Sequence, residues 1–388
     1  MLLVSLISYI DRSTLALLAP TILRETGISG QQYGFIISAF SVAYTLSNPI
    51  WGWILDRAGL RRGMSAAVAW WSAASVAHVF GSGFWSFGAA RAALGFGEGA
   101  TFPGGLRTVV QTLPPERRGR GLAVAYSGGS LGSVVTPLLV TPVFERWGWR
   151  GAFWFTGMIG IAWLVLWSKI STRPDIRAKP AARDTRTRAP RFADPALWAF
   201  MCAYAMGALP LGFVLYNAPL YLANALGASQ RLIGELLWAP PLGWELGYFV
   251  WGWFADRLCR KEDQMVSGLG RLMAACGVMS LGFAAIPLLK SPVSVMAALF
   301  FVMFVASGFI VLPVAYATHV YSPAHAGLIA GAGAGAWSFL VAVMMPLFGH
   351  LFDIHAYRTA FWVAGVVPIG GYFAWRTMGY RSFSTMKD

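Results

Sequence analysis

Two stretches of this sequence carry charge inside long apolar runs: Tyr9-Ile10-Asp11-Arg12-Ser13-Thr14-Leu15, and RAALGFGEGATFP at 91–103. At 1.5 Å per residue, Asp11 lies roughly 15 Å from the start of its run, Arg91 about 10 Å deep in its own and Glu98 about 20 Å deep. A lone charge at a bilayer centre costs about 2.5–3.5 kcal/mol even on a lenient scale, so four unpaired ones would cost ~10 kcal/mol or more. They must pair or face water. Arg91 and Glu98 are two turns apart on one helix face, and Gly95, Gly97 and Gly99 clear space there for a close neighbour. Asp11 falls at a depth between them, so Asp11 is expected to meet Arg91 while Arg12 reaches Glu98. Such pairs can simply pin two helices. They can also do chemistry: a carboxyl takes up a proton, and a guanidinium binds a carboxylate. Glu245, mid-run in GWELGYF, adds a third acid. It can serve as a proton site, a hydroxyl acceptor, a partner for a cationic group or a structural hydrogen-bonding group.

The elements that position these residues follow from composition. The chain has 388 residues, 57% hydrophobic and 12% charged, against about 25% charged in an average soluble domain. Its mean hydropathy is +0.58. A bilayer core is spanned by ~20 apolar residues in a helix. Twelve such runs are visible: 2–23, 33–55, 63–80, 84–106, 119–142, 152–170, 196–223, 231–255, 266–288, 292–316, 326–350 and 357–378. The segment 171–194 is different, with seven basic and three acidic residues, and reads as a solvated linker. The reading is an all-α membrane protein of twelve spans: a six-helix bundle over 1–170, a basic linker over 171–194, and a second six-helix bundle over 195–388.

Alternate loops differ in basic charge. One set holds Arg57, Arg61 and Arg62, then Arg117, Arg118 and Arg120, the linker, then Arg257, Arg260 and Lys261; the tail adds Arg376, Arg381 and Lys387. The other set holds Arg24, Arg146, Arg150, Arg231, Lys290 and Arg358. The first set is expected in the cytoplasm, with both termini. The net charge of +14 therefore belongs to lipid headgroups and implies no nucleic acid. Cys202, Cys259 and Cys276 are too scattered for a disulfide framework or a metal cluster. The five histidines suggest no metal site. Gly128-Gly129-Ser130-Leu131-Gly132 spells a hydrolase elbow but lies in an apolar helix. GAGAGAW at 331–337 lacks the preceding strand of a dinucleotide loop. No phosphate-binding loop is present, so ATP does not drive the protein directly. No cofactor is expected, and no enzymatic activity.

The chain repeats itself. WGWILDR at 51–57 returns as WGWFADR at 251–257, and RGAFWFTG at 150–157 returns as RTAFWVAG at 358–365. Two echoes in the same order at nearly one offset indicate tandem copies of a unit of about 200 residues. Six spans per copy insert both the same way up, as parallel repeats.

These residues resemble the major facilitator superfamily. Its loop signature is matched by Gly52, Asp56, Arg57, Gly59, Arg61 and Arg62; the second copy, Gly252, Asp256, Arg257, Arg260 and Lys261, lacks the second glycine. The resemblance covers the whole chain. It implies two parallel six-helix repeats and a gating loop at Gly52, Asp56, Arg57, Arg61, Arg62, Asp256 and Arg257, which is either a cytoplasmic latch or a topology signal. Members carry a tail ahead of span 1, whereas this chain begins inside that span, which leaves a native start upstream of Met1 open.

Within the superfamily, the Tyr-x-Asp-Arg of span 1 and the Arg-x6-Glu followed by Phe-Pro in span 4 resemble the anion:cation symporters, which include hexuronate and sugar-acid transporters. That resemblance implies proton coupling at Asp11 and Glu98, and substrate contacts at Tyr9, Arg12, Arg91 and Tyr44, with Asn48 where many relatives have Gln. It also implies a multi-pass protein of a bacterial inner membrane, acting as a monomer on a small organic anion and protons. Departures are present. Gly129 stands where several sugar-acid carriers place a substrate-binding Gln, span 11 offers Trp337 and Ser338 instead of an Asn, and Glu245 has no counterpart. From the second half, Tyr216, Asn217, Glu245 and Trp337 are the candidate contacts. The expected function is proton-coupled symport of a sugar acid by alternating access. The alternatives are a proton-coupled exporter of a drug-like or zwitterionic compound, and a membrane sensor that binds without moving its ligand.

Overall fold

A computed structural model of the chain describes residues 1–114, 117–177, 190–259, 262–321 and 325–384. The middle of the expected linker (178–189), Arg260, Lys261 and Lys387 lie outside the described residues. Among the described residues the fold is helical, without a β-strand. The helices are α1 (Leu2–Thr26), α2 (Gly30–Ala77), α3 (Phe84–Glu98), α4 (Thr101–Thr112), α5 (Arg118–Tyr126), α6 (Gly128–Ile170) and α7 (Pro174–Arg177). They continue as α8 (Pro195–Gly207), α9 (Leu209–Leu226), α10 (Gln230–Leu236), α11 (Ala239–Cys259), α12 (Glu262–Ser280), α13 (Pro292–Val320), α14 (Ala326–Asp353) and α15 (Tyr357–Ser384).

Every apolar run expected from the sequence lies on these segments, but the breaks fall in places hydropathy does not mark. α2 holds two runs, divided at Gly59 (φ 81°, ψ 159°), and α6 holds the end of the run at 119–142 and the whole of the next, divided at Gly148 (φ 67°, ψ −177°). Those positive φ values are open to glycine at no steric cost. Four runs are not one helix: 84–106 breaks between α3 and α4, 119–142 between α5 and α6, 196–223 between α8 and α9, and 231–255 between α10 and α11. The run at 266–288 ends in a 3₁₀ segment, Leu281–Leu288. Among the described residues, six stretches are long and apolar enough to cross a membrane by length and composition: Leu2–Thr26, Arg120–Ile170, Pro195–Leu226, Met265–Leu288, Pro292–Val320 and Leu328–Asp353. Large apolar side chains such as Trp85, Phe80, Phe249 and Val278 face outward, as they would toward lipid.

Packing sets the site. α1 lies along α6, α2 along α3, α11 along α13, and α8 along α15. α2 also lies along α14, which joins the first part of the chain to the second. α3 approaches α2 closely because Gly95 carries no Cβ; one there would run into the Phe40 carbonyl. At the end away from the basic loops, the two parts of the chain are joined by hydrogen bonds. Asp353 accepts from the backbone N–H groups of Gly30 (2.6 Å) and Gln31 (2.9 Å) at the start of α2. Gln230 bridges to α1, donating to the Leu17 carbonyl (2.7 Å) and accepting from Thr21 (3.1 Å). Nearer the middle, Tyr33 donates to the Tyr216 carbonyl (3.0 Å), and Ser338 to that of Ser41 (3.2 Å).

Candidate functional site

Arg12 is the hub. Its Nη2 donates to Glu98 Oε2 at 2.9 Å, and Ser8 Oγ donates to the same oxygen at 2.7 Å. Ser8 and Arg12 are one turn apart on α1, so both reach the end of α3. Three rings surround the guanidinium: Cζ lies 4.6 Å from the Tyr9 centroid, 4.6 Å from Phe40 and 4.9 Å from Tyr44. Phe40 and Tyr44, also one turn apart, stack at 5.8 Å. A cation over an aromatic face gains about 0.5–1 kcal/mol when exposed and about 2 kcal/mol or more when desolvated. The cage therefore holds the charge in place even when its carboxylate partner changes.

Arg91 is fully buried and donates to the Arg12 backbone carbonyl at 3.1 Å. Among the described residues it has no carboxylate within ion-pair distance, and its Nε has no partner. This corrects one expectation. Arg12 pairs with Glu98 as the depths suggest, but Asp11 does not pair with Arg91. Asp11 Oδ1 instead accepts from Ser75 Oγ on α2 at 2.6 Å, and Ser75 Oγ lies 2.9 Å from Thr156 Oγ1 on α6. Asp11 and Arg12 are neighbours, about 100° apart around a helix of 3.6 residues per turn. Only one of them can face α3.

Of the other candidates, Tyr9 and Tyr44 stand at the hub, and Tyr216 lies within electrostatic reach of both arginines. Asn48 is one turn from Tyr44 and donates to the Tyr44 carbonyl (2.8 Å). Asn217 is not brought to the hub by a hydrogen bond; its amide is directed at Met345 Sδ, 3.4 Å away on α14. Trp337 donates to the Ala208 carbonyl (2.9 Å) at the junction of α8 and α9. Glu245 on α11 accepts from Ser130 on α6, a contact across the two parts of the chain. The position without the sugar-acid carriers' Gln is occupied in space by Tyr9, whose ring a Cβ on Gly129 would meet at 2.9 Å.

At the basic end, Asp56 is largely exposed and pairs with Arg107 of α4 at 2.9 Å, within the same half of the chain. Arg57 lies over Trp53 at 4.0 Å, and Arg257 repeats this over Trp253 at 3.8 Å. The echoed phrase thus carries an echoed contact. A Cβ on Gly52 would touch Pro103 at 3.9 Å, the Arg61 carbonyl accepts from Trp167, and Arg62 and Asp256 are exposed. Sequence reasoning missed Ser8, Phe40, Ser75, Arg107 and Trp244, whose ring lies 5.9 Å from that of Tyr9. Only Ser8 left a signal, its one-turn spacing from Arg12.

Comparison with known proteins gives a consistent result. A family model described as the Major Facilitator Superfamily matches residues 1–332 and, overlapping it, 215–384. The chain is similar to the hexuronate transporter of Escherichia coli strain K12, 26% identical over 310 residues, which is 71% of this chain and 70% of that protein. It is also similar to the D-galactonate transporter of Escherichia coli O6:H1, 30% identical over 282 residues, or 66% of this chain and 65% of that one. Among solved structures, a bacterial homolog of the human lysosomal transporter Spinster, in an inward-facing and occupied conformation, superposes with a TM-score of 0.81 at 15% identity, over 98% of this chain and 95% of that one.

Proposed function

The chain belongs to the major facilitator superfamily and is a transporter, not an enzyme; from that premise we propose that it moves a small organic anion of the sugar-acid class together with protons, by alternating access between the bundles 1–170 and 195–388. The relatives named for hexuronate and D-galactonate support the substrate class. The observation that carries the coupling is the caged Arg12–Glu98 pair, with Arg91 beside it holding no carboxylate.

The chemistry follows from charge. With Asp11 and Glu98 ionised, the two acids balance Arg12 and Arg91. A substrate carboxylate and Glu98 compete for one guanidinium. A proton on Glu98 removes its charge and releases Arg12, whose position the rings of Tyr9, Phe40 and Tyr44 maintain. The incoming carboxylate then bridges Arg12 and Arg91, and Tyr9, Tyr44 and Asn48 hydrogen-bond its hydroxyls. Asp11, whose carboxylate accepts from Ser75 of α2, is the second proton site, and net uptake requires that both sites release their protons inside. The contacts of Asp353 and Gln230 at the end away from the basic loops support a state closed at that end, the periplasmic end on the charge rule. Asp56 and Asp256 act as the latch of the opposite state.

Uptake of labelled hexuronate and galactonate into proteoliposomes, alkaline inside, tests the proposal. Accumulation that a protonophore collapses is expected. Binding without uptake would make the protein a sensor, and accumulation indifferent to the protonophore would remove proton coupling.

A further inference from the structure

Arg12, Arg91, Asp11 and Glu98 balance one another, but the middle of the protein holds one more acid. Glu245 is half-buried, mid-span, and faces the other half of the chain through Ser130. Among the described residues no Lys, Arg or His lies within ion-pair distance of it. A carboxylate withdrawn from water is stable when a cation or a proton neutralises it. Its surroundings have the chemistry that receives a cation. Trp244, the preceding residue, lies 5.9 Å from the Tyr9 ring and 5.8 Å from the Tyr248 ring, so an electron-rich aromatic cluster of the kind that receives cations begins one residue from Glu245. One turn from Ser130 and Glu245, a small cavity of about 20 Å³ is lined by the hydroxyl-bearing Ser13, Ser133 and Thr136 and otherwise by apolar residues, among them Leu17, Val214 and Pro241. It has room for about one water-sized group among three hydroxyls.

This pole is tied to the anion site by one side chain. The Tyr9 ring lies 4.6 Å from the Arg12 guanidinium and 5.9 Å from the Trp244 ring. It packs against Gly129, where a Cβ would meet it at 2.9 Å, and the next residue, Ser130, donates to Glu245. The arginine pole and the glutamate pole are therefore linked through Tyr9 and Gly129-Ser130. Once Asp11 and Glu98 carry protons, as in the loading step above, the cargo's carboxylate is matched by the two arginines, and Glu245 is left without a cationic partner among the described residues; an ammonium on the cargo would supply one.

We propose, on the organic-anion reading above, that the preferred cargo is a zwitterion: a sugar-acid-like molecule whose carboxylate takes Arg12 and Arg91 while an amino group takes Glu245. Glu245 is then the residue that sets specificity between aminated and plain acids.

The test uses the purified full-length protein and a matched pair of ligands, 6-amino-6-deoxy-D-gluconate, whose ammonium lies at the opposite end of the chain from its carboxylate, and D-gluconate, compared by calorimetric titration. The aminated acid should bind ~10-fold or more tightly, and Glu245→Gln should bring that ratio toward one. Ser130→Ala keeps the carboxylate and removes its protein donor, so the ratio should hold or rise, which guards against a merely misfolded Gln variant. Equal binding of the two acids by the wild type overturns the inference and leaves the organic-anion reading standing. A ratio that survives Glu245→Gln overturns the assignment to Glu245. Binding of neither acid overturns both readings.

Discussion

Replacing Glu98 with Gln should tighten substrate binding while abolishing accumulation. The carboxylate of Glu98 accepts from Arg12 at 2.9 Å and from Ser8 at 2.7 Å, both donors and acceptor buried. A hydrogen bond to a charged group is worth about 1.5–3 kcal/mol net. A substrate carboxylate must displace that bond to reach Arg12. Gln keeps the size of the side chain and an oxygen acceptor for Ser8 but removes the competing charge. The guanidinium stays in place, because Tyr9, Phe40 and Tyr44 hold it on three sides. Relief of about 1.5–3 kcal/mol corresponds to roughly 10- to 100-fold tighter binding. Calorimetric titration of D-galactonate into wild type and variant measures it. In proteoliposomes the variant should still exchange labelled for unlabelled substrate, yet fail to concentrate it, since no proton travels at that position. Unchanged or weaker binding by Glu98→Gln would refute the competition argument, and the Arg12–Glu98 pair would then be a structural pin.

Three further outcomes are expected. Arg91→Lys should insert normally but lose most transport, roughly tenfold or more, because a point charge cannot replace a planar fork; uptake kinetics with membrane-localised protein as the reference check this. Asp56→Asn should shift thermal stability little, since an exposed ion pair is worth about 0–1 kcal/mol, yet should raise cysteine accessibility from the basic side. Asp353→Ala removes a carboxylate that caps the first turn of α2 from across the molecule; the loss of about 0.5–2 kcal/mol should favour opening at that end, seen as longer spin-label distances between positions 31 and 354.

The helical layout was legible because a bilayer demands long apolar runs and marks its loops with arginine. The break between α3 and α4 was not, because Gly99 and Ala100 keep helical backbone angles and the run stays apolar through them. Depth along a helix is a linear count, so the level of Arg12 and Glu98 could be read. Direction around the helix is not fixed by depth, and Asp11 was therefore expected beside Arg91 when it faces Ser75. Phe40 was invisible as a cage wall because one aromatic in an apolar run carries no signal. Arg107 was hidden for another reason: its partner Asp56 is 51 residues away, and two loops of one sign do not reveal which arginine meets which acid. The repeated WGW…DR phrase was legible as a repeat, and both copies carry the same Trp–Arg stack, a contact the sequence reading did not name.

Loading of proton and substrate together is the centre of this account, and proton flow reports it directly. Liposomes containing the purified protein and an internal pH-sensitive dye, with equal pH on both sides, should acidify inside when D-galactonate or a hexuronate is added outside. Wild type should acidify in proportion to the substrate taken up, and Glu98→Gln should not. Substrate entry with no change in internal pH would contradict coupling through the Arg12–Glu98 pair.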